Sequence, residues 1–350
     1  MLQNDRFLKA LRREPLETPP LWIMRQAGRY LPEYRAVRGK VKNFMDFCRS
    51  PELCAQVALQ PIDRFGLDAS IVFSDILTIP DAMGCPVEFL EGEGPKFRNP
   101  IRDAHDLSKL KKNAMPELSY VMQAVSQTKA ALKGRVPLIG FSGSPWTLAS
   151  YMIEGETSKT FEKPRAMMYQ NPALLHQLLD LLADNVVDYL LGQISAGADA
   201  VMIFDTWGGM LSREKYQAFS LHYMQKIVDK LPREIPSILF TKGGGAWLEL
   251  IAETGCSALG LDWQTDLSEA YRRVGSQVAL QGNLDPAVLY GSPELVRQEV
   301  RQVLLSMKGK PGFIFNLGHG VTPGVNPENV AVMRDEISNF SSISRSTHHE

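Results

Sequence analysis

Eight short runs of apolar and β-branched residues, separated by longer stretches of helical period, constrain this chain more than any other feature. They are PPLWIM from Pro19, ASIVFS from Ala69, PLIGFSG from Pro137, ADAVMIFD from Ala198, PSILFT from Pro236, ALGLDW from Ala258, VALQGN from Val278 and GFIFNLG from Gly312. Most are almost wholly apolar, which suits a parallel strand covered on both faces; a strand with one wet face would alternate. The segments between them carry helix punctuation. Ser50-Pro51, Asn171-Pro172, Ser292-Pro293 and Asn326-Pro327 each offer a capping side chain followed by proline at the first helical position. Gly66, Gly134, Gly197, Gly255 and Gly275 mark helix ends shortly before the next run. Strand and helix alternating in this way predict an α/β fold, a (β/α)8 TIM barrel.

A barrel also accommodates the length. Although 350 residues is long for one domain, α/β barrels reach this size as a single unit, and no linker or shift of composition divides the chain. A single catalytic domain is expected over residues 1–340, with the polar tail at 341–350, SSISRSTHHE, expected to fray. One segment breaks the rhythm. CPVEFLEGEGPKFRNPI, from Cys85 to Ile101, has a turn-rich centre between two strand-like pieces and predicts a hairpin inserted after strand two, placed to cover the barrel mouth.

Formal net charge is -1, which excludes a whole-molecule field that would gather nucleic acid or an anionic membrane. The longest apolar region, Ala173 to Ile194, is interrupted by Asp180, Asp184 and Asp188, so no membrane span is expected. Charged residues also interrupt the N-terminal segment, which lacks the apolar centre of a signal peptide. Four cysteines without a CxxC pair fit a reduced, cytoplasmic setting.

In a TIM barrel the chemistry sits at the C-terminal ends of the strands. The residues just after each run are unusually polar: Arg25, Gln26 and Arg29; Ser74 and Asp75; Ser142, Ser144 and Tyr151; Asp205 and Thr206; Lys242; Asp262; Asn283 and Asp285; and His319. Asp205, Asp285 and Ser144 have a plain alternative as helix caps. Lys242 and the glycines that follow it, Gly243 to Gly245, read as a tight surface turn ahead of a Schiff-base lysine or a phosphate loop. His319 lies between two glycines, which free the backbone to approach a ligand. Asp75 ends an apolar run, where an unpaired carboxylate is costly, so it needs a cationic or hydrogen-donating partner. Arg25 is the most informative. It directly ends the first run, and two guanidinium groups four residues apart suit a ligand bearing carboxylate or phosphate.

The chain contains no GxGxxG, P-loop or HExxH motif and no cysteine-histidine cluster, so neither a metal nor a nucleotide cofactor is indicated. PPLWIMRQAGRYLPEYRAVR and GFSGSPWTLASYMIEG, with FSDIL, GNLDP and NLGHGVTP in consistent order, resemble the uroporphyrinogen decarboxylase family from about Asn4 to about Phe340. That resemblance implies a cofactor-free decarboxylase of haem (porphyrin) biosynthesis on a (β/α)8 barrel, usually a homodimer. Its substrate, uroporphyrinogen III, would lose CO2 from four acetates and become coproporphyrinogen III. Carried over by motif, the substrate loop falls on Arg25, Gln26, Ala27, Gly28 and Arg29. The pyrrole-binding carboxylate falls on Asp75, and further substrate contacts on Tyr151, Thr206 and His319. Asp75 and Arg25 are the catalytic candidates, with the proton donor left open. Two rivals stand beside this: a zinc-dependent, corrinoid-linked methyltransferase of the same superfamily, and an inactive tetrapyrrole carrier.

Overall fold

The computed structural model describes residues 2–90 and 94–346. Strand β1 (Ser70–Ile71) is followed by the hairpin β2 (Val87–Leu90) and β3 (Gly94–Phe97). Then come β4 (Leu138–Gly143), β5 (Ala200–Asp205), β6 (Ser237–Thr241), β7 (Ala258–Gly260), β8 (Ala279–Leu284) and β9 (Phe313–Leu317). Seven of these form one parallel sheet in the order β1-β4-β5-β6-β7-β8-β9. Residues of β4, β6, β8 and β9 are buried throughout, as expected of strands with helices outside and a packed barrel within. The antiparallel hairpin follows the second predicted run, where the sequence placed it. Its centre, residues 91–93, lies outside the described residues.

The first run differs from expectation. It fills the gap between β9 and β1 but makes only one parallel bridge, Leu21 to Phe315, rather than a ladder. The reason lies in its hydrogen bonds. Pro19 and Pro20 have no N–H to offer. Of the next four donors, Trp22 N–H reaches Phe315 C=O on β9 (3.4 Å), while the other three are taken by side chains: Leu21 N–H by the Asp68 carboxylate (2.7 Å), Ile23 N–H by Gln26 Oε1 (3.1 Å) and Met24 N–H by Asn316 Oδ1 (3.0 Å). Backbone donors must be satisfied, but neighbouring strands need not do it. The seam thus closes through a few backbone bonds, Phe315 N–H to Pro20 C=O (2.9 Å) and Asp68 N–H to Leu21 C=O (2.8 Å) among them, together with these side chains.

Helices form the outer layer, and their ends largely follow the sequence signals. Asn171 accepts from Leu174 N–H (3.2 Å) and Ser292 from Leu295 N–H (3.3 Å), whereas the Ser50 hydroxyl makes no such cap and lies 3.5 Å from Glu52. Gly66, Gly134, Gly197 and Gly255 take left-handed φ values of 63°, 75°, 119° and 78°, while Gly275 closes its helix with φ -64°. The last helix, Pro327–Ser346, carries into the tail, and residues 347–350 lie outside the described residues. No described helix is long and apolar enough to cross a membrane.

Candidate active site

β1 is only two residues long, so the chain leaves the sheet at Ile71 and the stretch from Val72 to Ile76 lines a cavity of about 200 Å³ at the barrel mouth. Phe141 on β4 and Phe204 on β5 form an apolar wall, their rings edge to face with centroids 5.7 Å apart. Arg25, Gln26 and Ala27 enter from the turn after the first run, Asp75 from the chain after β1, Thr206 from the turn after β5 and His319 from the loop after β9. Residues separated by up to 294 positions are brought together here because a barrel gathers all its strand ends at one face.

Arg25 has a left-handed backbone with φ 62°, uncommon for a bulky residue and worth about 1 kcal/mol or more of local strain. The turn around it is over-determined. Gln26 N–H donates to Ile23 C=O (3.0 Å) and Val321 N–H to Met24 C=O (3.0 Å). Buried Gln26 accepts from Ile23 N–H and donates to Ala69 C=O (3.2 Å), so its amide serves the scaffold beneath the cavity. Arg25 itself forms no ion pair among the described residues. Its charge nevertheless acts on Asp75, Tyr151 and His319, which identifies it as the common neighbour of the three.

The half-buried Asp75 accepts from Leu77 N–H at 2.8 Å. Burial in the apolar mouth pushes its carboxyl above the usual value, against the Leu77 hydrogen bond and the Arg25 charge, which pull it down. Tyr151 is raised chiefly by burial and packs edge to face against Phe161 (5.4 Å) and Trp207 (6.2 Å) beside the cavity. Gly28 and the exposed Arg29 lie on the same loop but outside the cavity lining.

Two glycines flank His319. They make room for the protein itself: a Cβ on Gly320 would sit 2.4 Å from Arg25 Cδ, and one on Gly318 would sit 2.4 Å from the backbone nitrogen of Trp263. His319 is thereby held against the Arg25 stem, with its ring 6.0 Å from that of Phe240. Burial and the nearby Arg25 and Lys242 charges push its imidazole down to about 4, so it is neutral at pH 7. Because the folded value lies below the unfolded one near 6.5, the contribution to stability is complete above pH 6.5 and declines as pH falls toward 4. His319→Gln is expected to flatten that decline by roughly 2 kcal/mol, read from urea midpoints between pH 7 and pH 4. Parallel profiles for the two proteins would contradict the assignment.

Asp205 also differs from its sequence reading. It is fully buried and caps no helix; it accepts from the hydroxyls of Ser144 (2.6 Å), Thr147 (3.2 Å), Ser220 (2.8 Å) and Thr241 (3.3 Å). Ser144 and Asp285 do cap, accepting from Thr147 N–H and Ala287 N–H. Sequence reasoning missed Phe141, Phe204 and Ile71 as cavity residues, since inside an apolar strand nothing separates a cavity wall from the core.

Among the described residues no three His, Cys, Asp or Glu side chains come together to hold a metal ion, and all four cysteines are free and buried. A family model described as uroporphyrinogen decarboxylase (URO-D) matches residues 2–340. Among curated relatives, the uroporphyrinogen decarboxylase of Hydrogenovibrio crunogenus is 59% identical over 97% of this chain and 98% of its own. That of Thioalkalivibrio sulfidiphilus is 59% identical over 96% and 97%. Among solved structures, a methyltransferase from Methanosarcina mazei superposes with TM-score 0.79 at 21% identity, covering 96% of this chain and 98% of that one, a likeness of fold. The chain belongs to the uroporphyrinogen decarboxylase family.

Proposed function

We propose that this chain removes CO2 from the four acetate side chains of uroporphyrinogen III, giving coproporphyrinogen III in haem biosynthesis, with Asp75 and Arg25 at the centre of the site. One observation supports the assignment of those two residues above the others. A carboxylate and a guanidinium face the same apolar-walled cavity without forming an ion pair with each other, so both are available to a substrate that offers N–H groups and carboxylates.

Losing CO2 from an acetate leaves an electron pair that needs a sink. The pyrrole ring supplies one. A proton added at the ring carbon next to the acetate-bearing position makes the ring cationic; the C–C bond electrons then flow into the ring as CO2 leaves. Protonation of the exocyclic carbon and loss of the ring proton give the methyl group, so each turnover exchanges one CO2 for one proton. Asp75, directed at the pyrrole N–H groups in a low-dielectric cavity, stabilises the cation that develops. Arg25 grips a substrate carboxylate, and Arg29 on the same loop receives another as the substrate enters. Neutral His319 offers an N–H donor without adding charge, while the Thr206 hydroxyl and Tyr151 hold further carboxylate oxygens. Buried free thiols support a reduced, cytoplasmic setting, and the family's usual homodimer is carried with this reading.

Anaerobic incubation of the purified protein with uroporphyrinogen, with products separated by number of carboxyl groups, is expected to show stepwise loss from eight to four. Unchanged substrate would sink the decarboxylase reading and leave a tetrapyrrole carrier.

A further inference from the structure

Lys242 lies in the turn that its sequence suggested, and the barrel gives that turn a particular place. It follows β6, and in the sheet order β6 lies across the barrel from the first run, which closes the gap between β9 and β1. The two strand ends bearing Arg25 and Lys242 therefore face each other over the mouth. Both charges act on the His319 imidazole, and Lys242 stands outside the residues that line the cavity.

The backbone of Lys242 is tightly held. Its N–H donates to Asp205 C=O (3.3 Å), the following Gly243 N–H donates to the Asp262 carboxylate, and Gly209 packs so closely on the Lys242 carbonyl that a Cβ there would lie 1.9 Å from its oxygen. The side chain, by contrast, makes no hydrogen bond among the described residues and lies over the Trp263 ring. Half-buried, it forms no ion pair among the described residues, and its Nζ stands 6.0 Å from the ring centroid of Trp263. The neighbouring carboxylate, Asp262, is already engaged by Gly243 N–H, Gln264 N–H (3.2 Å) and the Thr265 hydroxyl (3.2 Å). A held backbone that carries a free, partly desolvated ammonium group is what an anion anchor requires.

We propose that Lys242 is a substrate-positioning residue that binds a carboxylate on the side of the tetrapyrrole opposite Arg25, so that the macrocycle is held from two walls over Asp75. The inference rests on the decarboxylase reading. Uroporphyrinogen carries carboxylates around its whole circumference, and anchors on the first run alone leave those on the far side unpaired. Two-sided anchoring also fixes which acetate faces Asp75 in each turnover.

The test uses Lys242→Gln and Lys242→Arg in the full chain, with anaerobic uroporphyrinogen as substrate and uroporphyrin, its oxidised and fluorescent counterpart, as the binding probe. Lys242→Gln is expected to raise KM and weaken uroporphyrin binding about tenfold, with kcat kept within about threefold, and Lys242→Arg to recover most of the affinity. Unchanged KM and binding in Lys242→Gln would overturn the proposal, as would a fall in kcat at constant KM. Should Lys242→Gln fail to fold, as read by its thermal melt, Lys242→Met keeps the packing over Trp263 and tests the same loss of charge. Failure of the underlying reading looks different, since wild-type protein would then release no CO2 while the binding arm still reports on Lys242.

Discussion

Replacing Asp75 by asparagine is expected to lower kcat by about two to three orders of magnitude while KM changes only a few-fold. Asparagine keeps the shape of the side chain and an oxygen that can still accept from Leu77 N–H and from a pyrrole N–H, so the ground-state complex survives. What disappears is the negative charge. That charge matters most when the ring becomes cationic, in a mouth walled by Phe141 and Phe204 where water screens little. Burial also lifts the Asp75 carboxyl above its ordinary value, so the group protonates, and the wild-type enzyme loses activity, at a higher pH than a solvent-exposed aspartate would set. The variant should lack that acid limb in kcat/KM. Single-turnover measurements across pH decide the matter: a chemical step of wild-type speed in Asp75→Asn removes the electrostatic role.

Much of this architecture was legible in the chain because parallel strands buried on both faces leave apolar runs that helical segments do not imitate. All the runs after the first became strands near the expected positions, and the hairpin lies in the segment that broke the rhythm. The first run escaped because two of its donors are taken by side chains remote in sequence and one by the nearby Gln26, which leaves a single bridge to β9. Asp68 and Asn316 supply the acceptors that a ladder would have supplied, and no local pattern announces such pairings. Arg25 was legible for the converse reason, since a guanidinium directly ending an apolar strand has few places to go but the mouth. Its left-handed backbone was not, because neither neighbour is a glycine or asparagine that would signal it. Asp205 was misread as a helix cap, whereas Lys242 was rightly placed in a turn but without that turn's position across the barrel from Arg25. Each sits beside residues that fit a plain local role, a glycine turn for one and a helix start for the other, and only the barrel's curvature brings the distant partners that change the reading.

Asp205→Ala is expected to destabilise the protein by about 3–5 kcal/mol, the largest stability effect of any single change at this face. Four hydroxyls converge on this carboxylate, Ser144 and Thr147 on one oxygen and Ser220 and Thr241 on the other. Alanine leaves all four donors facing an empty buried space, and each unsatisfied donor costs on the order of 1 kcal/mol or more. These hydroxyls also belong to different parts of the barrel: Ser144 follows β4, Thr241 ends β6, and Ser220 lies on the helical segment after β5. Their loss therefore loosens three walls at once. Function should suffer through Thr206 and Trp207, because Thr147 accepts from Trp207 N–H (3.3 Å), Trp146 Nε1 donates to Trp207 C=O (3.1 Å), and Tyr151 packs on the Trp207 ring. Asp205→Asn separates charge from geometry. It retains acceptors for one pair of hydroxyls and should lie between wild type and alanine. Burial raises the Asp205 carboxyl above its unfolded value, so its contribution to stability is greatest below about pH 4 and falls as pH rises through the folded value. The deficit of Asp205→Asn, which cannot ionise, should therefore shrink as pH increases. Urea unfolding of the three proteins at several pH values reads this directly; an alanine variant within 1 kcal/mol of wild type would show that the hydroxyls find other partners and that Asp205 is no structural hub.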